Sequence, residues 1–227
     1  MIEPKSEKHE LKTQRTTVKR LPKRGAYERD AIYRILDEGL ICHLGFEAGG
    51  HPYVIPTGYA RAGDTLFIHG SPASRMLRTL GTGAQVCVTV TLLDGLVVAR
   101  SAFHSSMNYR SVVILGIATE VTDREPKLEA MRALVEHLIP GRWAEVRRPT
   151  AKELRATSIM ALPITEASAK LRTGGPLDDE EDYALPLWAG VVPLALTPSQ
   201  PIDDDRLRDG ATAPTYVTRY RRPTAEP

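Results

Sequence analysis

The 227-residue sequence contains only two cysteines, Cys42 and Cys87, and no Cys-x-x-Cys pair. Two thiols are too few for a disulfide scaffold or a four-thiolate zinc site. The sequence also lacks any run of about 18 apolar residues, so no membrane-spanning helix is predicted. Residues 1–12 are charged and lack an apolar core, so no secretory signal is predicted and a cytoplasmic location is expected. Redox chemistry in such a chain would require a bound cofactor.

Several catalytic motifs are absent as well. The sequence has no phosphate-binding loop ending in Gly-Lys-Ser/Thr, no His-Glu-x-x-His and no Gly-x-Ser-x-Gly. Cys42 and His43 are neighbours, so a strand would direct them to opposite faces, which argues against a thiolate–imidazole pair. The acidic runs 178–182 and 203–205 are interpreted as solvated linkers, because adjacent carboxylates repel one another. No metal site is predicted.

Positive charge is concentrated near the start of the chain. The net charge is +2, but residues 12–24 contain six cations and no acid, so the remainder is net acidic. A basic arm of this kind can bind nucleic acid by releasing counterions. No stacking aromatics or helix-turn-helix pattern accompany it, so nucleic-acid binding is the less favoured interpretation. We expect the arm to lie against its own body or a partner subunit.

The periodicity of apolar residues predicts a mainly β protein with a few helices. Alternation with period two dominates the first half of the chain, and turn residues separate the strands. Helical spacing predicts helices over 28–39, 125–138 and 150–155. Short antiparallel strands in succession are typical of a barrel or a sandwich. The predicted strands are 40–46, 53–60, 65–69, 84–92, 96–102, 109–121 and 158–164.

One turn has residues suited to binding a phosphate. A strand is predicted to end at His69, and the Gly-Ser-Pro sequence at 70–72 is typical of a sharp turn, an N-cap and a first helical position. This reading leaves free amides at 73–74. The Ser74 hydroxyl and the Arg75 guanidinium lie at the same helix end, and together they suit a phosphate dianion. From the residue types alone, a capped surface helix with one exposed arginine fits equally well.

The sequence resembles the flavin-binding split-barrel superfamily that includes pyridoxamine 5′-phosphate oxidase, over about residues 12–195. Within it, the resemblance is closest to the flavin-nucleotide-binding and nitroimidazole-resistance branch. It implies a mainly β fold with attached helices (α+β), a six- to seven-stranded antiparallel split β-barrel. The segments that carry it are 27–39, 42–46, 54–59, 69–77, 88–95, 100–112 and 166–170.

This resemblance also implies a division of the chain and an assembly. Residues 1–26 form the basic arm and 27–171 the barrel that binds flavin mononucleotide (FMN). Residues 172–227 hold 8 of the 17 prolines and form an extended tail on the barrel or on the partner subunit. The implied assembly is a homodimer with FMN at its interface.

The resemblance assigns roles to particular residues. Ser74 and Arg75 hold the phosphate, and Arg110 stabilises the charge of reduced flavin, with Lys170 as a second candidate. His69 is either a proton donor to substrate or a flavin contact only. Trp188 either covers the partner's flavin or packs internally. The implied cofactor-binding residues are Val54, Ile55, Pro56, Thr57, His69, Gly70, Ser74, Arg75, Arg110, Ser111, Lys170 and Trp188.

The predicted function is an FMN-dependent oxidoreductase that passes hydride or electrons to a small organic substrate. Met76 stands where pyridoxamine 5′-phosphate oxidase has a basic residue, and the C-terminal substrate signature of that enzyme has no counterpart, which argues against vitamin B6 oxidation. The alternative is a non-catalytic flavin or haem carrier or sensor, suggested by His43, His69 and His104. Binding of a deazaflavin in place of FMN also stays open.

Overall fold

The computed structural model describes residues 11–222, so parts of the predicted arm (1–10) and tail (223–227) lie outside the described residues. Within that range, none of the helices is long and apolar enough to cross a bilayer. Two short 3-10 turns supplement the regular elements. These elements are β1 Gly25–Ala26, α1 Arg29–Glu38, β2 Ile41–Ala48, β3 His51–Ala62, β4 Thr65–Gly70, α2 Arg75–Gly81, β5 Gln85–Val98, β6 Ser106–Ile117, β7 Thr119–Glu120, α3 Arg124–Leu138, α4 Arg142–Glu145, α5 Ala151–Ala156, β8 Ser158–Pro163, β9 Ala167–Arg172, β10 Gly190–Pro193 and α6 Thr215–Thr218.

The strands form an antiparallel sheet that wraps around the main core, and a second, smaller cluster of buried side chains includes Ala130 and Leu134 of α3. Their order is β1-β9-β6-β5-β2-β3-β4-β8-β7, and β10 pairs with β5. No ladder joins the two ends of this path within residues 11–222. Only Ala118 separates β6 from β7, so the covalent chain connects the middle of the path to its far end. The predicted split-barrel fold is confirmed.

One predicted strand was wrong. The segment 96–102 is not a separate strand, because β5 continues to Val98 through a register shift between Leu93 and Gly95. A bulge of this kind bends a strand without ending it, which is why Asp94 and Gly95 resemble a turn in the sequence. A Cβ at Gly95 would lie 3.0 Å from the carbonyl oxygen of Val192, so the glycine lets β10 pair alongside.

The core lies between α1 and the inward faces of the central strands. Ile32, Ile35 and Leu36 of α1 are buried, as the helical spacing predicts. Val88 and Val90 of β5 are buried too, with their polar neighbours less so, which confirms the predicted alternation. Burial of these aliphatic side chains is the main stabilising contribution to the barrel.

The first described residues lie against the barrel. Leu11 is 1% exposed; its N–H donates to the carbonyl of Tyr27, and its own carbonyl accepts from the N–H of Ala167. Arg15 forms an ion pair with Glu166. The start of the basic segment therefore packs on its own chain.

The tail is held to the barrel by a buried carboxylate. The Asp178 side chain is fully buried and accepts from the backbone N–H and Nη1 of Arg100, both at 3.0 Å. The interpretation of run 178–182 as a solvated linker was therefore wrong for Asp178. The partner of Asp178 is Arg100, 78 residues away, so the sequence around the acidic run could not predict this contact.

The end of the described tail closes over two helix ends. Arg222 donates to the carbonyl oxygens of Asp37, Glu38 and Gly39, at 2.6, 2.9 and 3.0 Å. It also donates to the carbonyl of His137. A guanidinium at these positions satisfies carbonyls that have no partner within their own helices.

Gly39 gives a direct test of the packing at the end of α1. A Cβ there would lie 2.5 Å from Cγ1 of Val90 and 2.7 Å from the Tyr59 hydroxyl, which donates to the carbonyl of Leu36. We expect Gly39→Ala to lower the free energy of unfolding by about 1–3 kcal/mol, the usual cost of overpacking. Gly58→Ala is the control, because its Cβ would meet nothing within 4 Å. Equal free energies of unfolding for the two variants, measured by urea denaturation, would contradict this packing.

Candidate functional site

The turn after β4 is built differently from the sequence prediction. Helix α2 begins at Arg75, with Ser74 as its N-cap, and not at residue 72. The Ala73 and Ser74 amides are not free, because they donate to the hydroxyl and the carbonyl of Ser71 at 3.2 and 2.9 Å. A tight turn thus precedes the helix. The first helical hydrogen bond runs from Arg78 to Ser74, which places the unpaired amides at 75–77.

Two predicted phosphate residues line one cavity with part of β3. The Arg75 guanidinium lies 4.6 Å from the centre of the Tyr53 ring, and that ring stacks on Phe46 at 5.5 Å. The Ser74 side chain makes no capping hydrogen bond, so its hydroxyl is available. We call this the Arg75 pocket. It has a volume of about 320 Å³ and is lined by Phe46, Tyr53, Ile55, Ser74, Arg75 and Met76.

The part of β3 that contains the predicted cofactor-binding residues 54–57 has one free edge. Residues 51–58 of β3 pair with β2 on one side, whereas β4 pairs with β3 only from Tyr59 onward. Val54 and Ile55 are 66% and 38% exposed. Backbone groups on the outer edge of 54–57 therefore have no strand partner in the described structure and are accessible to a ligand.

His69 faces a different, apolar recess. Although the residue is exposed as a whole, its apolar surroundings desolvate the ring and lower the pKa of His69 below the usual value of 6.5. The sequence predicts the apolar stripe of α3, but it does not predict that this stripe faces the end of β4 at His69. We call this recess the His69 pocket. It has a volume of about 140 Å³ and is lined by His69, Met131, Leu134, Val135, Leu138, Trp143 and Thr157.

Arg110 lies in a third cavity, of about 420 Å³, where two carboxylates engage it. Its Nε and Nη2 donate to Asp94 at 2.9 and 2.7 Å, and Nη2 also donates to Glu38 at 2.8 Å. These hydrogen bonds raise the pKa of Arg110 further above its ordinary value. Within this chain, the carboxylates of Asp94 and Glu38 therefore offset the positive charge of Arg110, which the sequence predicts to stabilise reduced flavin.

The remaining predicted contacts lie on other strands. The Ser111 hydroxyl donates to the carbonyl of Lys170 at 3.3 Å, where β6 pairs with β9. Trp188 is 67% exposed and packs on Gly190, where a Cβ would lie 2.9 Å from the indole. Of the predicted cofactor-binding residues, Ile55, Ser74 and Arg75 therefore line the Arg75 pocket. Ser111, Lys170 and Trp188 of the same chain do not.

Of the three histidines that suggested haem, only His69 faces an apolar recess. His43 is exposed on β2. The Nε2 atom of His104 lies 3.3 Å from a carboxylate oxygen of Asp179. A fourth, His137, has its Nε2 atom 2.7 Å from the carbonyl oxygen of Gly39, and burial lowers the pKa of His137. Among His43, His69 and His104, His69 is thus the one that lines a described apolar cavity.

Comparison with protein families agrees with this architecture. The model of the family named pyridoxamine 5′-phosphate oxidase matches residues 28–171, and the chain belongs to that family. The match covers α1, β2 to β8 and most of β9. It therefore includes every residue that lines the three cavities described above, except the tail residues that line the Arg110 cavity. Comparison with curated proteins gives no significant match.

Two solved structures resemble the chain over most of its length, and a third resembles about two thirds of it. The flavocytochrome Anf3 from Azotobacter vinelandii is 43% identical, with a TM-score of 0.87 over 92% of this chain and 97% of that one. A FAD- and haem-binding protein from Mycobacterium smegmatis is 41% identical, with a TM-score of 0.83 over 86% and 95%. A candidate 5-nitroimidazole antibiotic resistance protein from Bacteroides thetaiotaomicron is 22% identical over 64% and 85%, with a TM-score of 0.54, and shares the fold.

Proposed function

We propose that this protein binds a flavin and a haem and acts as an oxidoreductase that passes electrons to a small molecule. The observation that carries the proposal is the end of β4 and the turn that follows it, where His69 lines an apolar pocket and Ser74 and Arg75 bring donor groups to a second pocket. Two similar structures, at 43% and 41% identity, are a flavocytochrome and a FAD- and haem-binding protein. A flavin paired with a haem supplies conversion between two-electron and one-electron transfer.

The Arg75 pocket suits the phosphate end of a flavin. Arg75 forms no ion pair with a carboxylate in residues 11–222, and the Ser74 hydroxyl has no capping partner, so both can turn their donors toward an anion. Tyr53 and Phe46 supply an aromatic wall. The exposed edge of residues 54–57 then offers backbone groups to the polar rim of the ring.

Both FMN and FAD carry the phosphate and the ring that these residues would recognise. FMN is the prediction from the family resemblance. The Mycobacterium smegmatis protein binds FAD by its description and covers 86% of this chain. We propose FAD for this protein on that likeness, with the flavin's proximal phosphate at Ser74 and Arg75.

The His69 pocket, at about 140 Å³, is smaller than a haem, so it would receive an apolar edge of the ring. Leu134 and Val135 line it together with the imidazole of His69. Because the pKa of His69 is lowered, the ring is neutral at pH 7, the state in which a nitrogen can ligate iron. The role of His69 in this proposal is therefore that of an iron ligand, in place of a proton donor.

We also propose that the working unit is a homodimer. An exposed apolar face extends over the adjacent strands β2, β3 and β5, where water would otherwise contact large aliphatic side chains. Light scattering is expected to give twice the 25.0 kDa mass of one chain. A monomeric mass at micromolar concentration would contradict the dimer. The exposed side chains are Ile41, Val54, Leu93 and Leu96.

Cofactor content tests the proposed function directly. The purified protein, or the protein incubated with FAD and haemin and then desalted, is expected to show both flavin and Soret absorption. Flavin absorption without Soret absorption would contradict haem binding and would favour the FMN-dependent oxidoreductase that the sequence predicts. The absence of both chromophores would refute the proposal as a whole.

A further inference from the structure

Strand β9 ends in a buried arginine that has no acidic partner. Arg172 is 7% exposed, and its Nη1 donates to Oδ1 of Asn108 at 2.6 Å. No carboxylate within residues 11–222 forms an ion pair with it. A buried charge is stabilised by an opposite charge, so an arginine with only a neutral partner is a site at which an anion would be favourable.

Asn108 is fixed in its role as an acceptor. It is 8% exposed, and its Nδ2 donates to the carbonyl of Gly174 at 3.1 Å, which directs Oδ1 toward Arg172. The amide thus orients one edge of the guanidinium without offsetting its charge. The other nitrogens of Arg172 have no hydrogen-bond acceptor among the described residues.

A second arginine lies close to Arg172. In the sheet, Gly25 pairs with Lys170 and Tyr109 pairs with Arg172, so Arg24, just before β1, is brought to the same end of β9. The charge of Arg24 acts together with burial to lower the pKa of Arg172. An anion bound between these two arginines would stabilise both charges.

The loop that follows β9 adds backbone donors. Residues 173–175 are Thr-Gly-Gly and are exposed, and their amides have no acceptor among the described residues. Gly174 has a φ of 90°, and a Cβ at Gly174 or Gly175 would meet nothing within 4 Å. These exposed amides are therefore accessible to an anion.

We propose that Arg172, Arg24 and the loop 173–175 bind the phosphoryl group of a small molecule, at a site separate from the Arg75 pocket. We call this the Arg172 site. Two guanidinium groups and several N–H donors match a dianion with three oxygens better than a single carboxylate. The proposal does not depend on flavin or haem binding.

Calorimetric titration of the full chain with inorganic phosphate, at constant ionic strength set with chloride, tests this site. The titration is made in an Arg75→Ala background, which removes the other candidate phosphate site. We expect saturable binding there, weakened about tenfold or more by Arg24→Gln, the usual effect of losing one charge-assisted contact. Arg208→Gln, at an exposed position in the tail, is the control and is expected to leave the affinity unchanged.

The outcomes separate clearly. Phosphate binding that disappears with Arg75→Ala alone would place the only phosphate site in the Arg75 pocket and overturn the proposal. Heat that never saturates, or equal affinities for Arg24→Gln and Arg208→Gln, would show a general ionic effect and overturn it too. Arg24 is only half-buried, so its replacement tests the site even if Arg172→Gln fails to fold.

Discussion

His69→Ala is expected to abolish the Soret absorption of the protein and to leave the flavin in place. The reason is that His69 is the one imidazole in the lining of the His69 pocket, and the thioether of Met131, the other potential ligand there, is a weaker donor to ferric iron. Haem content is measured as the pyridine haemochrome, and flavin content by absorbance after denaturation. His51→Ala is the matched control, since His51 is exposed at the start of β3.

Two results would contradict this role. Equal haem content in His69→Ala and His51→Ala would place the iron ligand elsewhere. Loss of haem and flavin together would indicate that His69 supports the turn as a whole, because β4 continues into the loop that ends at Ser74.

Arg75→Ala is expected to weaken flavin binding by about 1.5–3 kcal/mol, or roughly 10- to 150-fold in Kd. The change removes a charge-assisted donor from the Arg75 pocket, together with the stacking of the guanidinium on Tyr53. Quenching of flavin fluorescence on titration with apoprotein measures the affinity. Arg78→Ala is the control, because Arg78 is exposed and lies one turn further along α2.

The haem content of Arg75→Ala is expected to equal that of the unsubstituted protein, since Arg75 and His69 line different cavities. Unchanged flavin affinity would place the phosphate outside the Arg75 pocket. If the two sites are independent, the double variant His69→Ala/Arg75→Ala should show the sum of the two separate effects.

Local patterns in the sequence predict much of this fold. The alternation in β5 and the helical spacing in α1 each report which side chains face the core, and both are found as predicted. The Ser74 and Arg75 pair could be recognised because both residues belong to one turn. Features confined to a few consecutive residues are the ones that a sequence displays directly.

Features that depend on distant parts of the chain could not be predicted in this way. Arg110 pairs with Glu38, 72 residues away, so its neutralisation is invisible in the sequence. The apolar stripe of α3 could be predicted, but the contact that places it beside His69 arises from tertiary packing. The four-residue strand β10 has too few residues for alternation to stand out, and its pairing with β5 stabilises it.

The most direct test of this account is the cofactor content of the purified protein, with each released molecule identified by mass spectrometry after denaturation. We expect one flavin, identified as FAD, and one haem per chain after reconstitution. A protein that neither contains these molecules nor takes them up when they are supplied would contradict it.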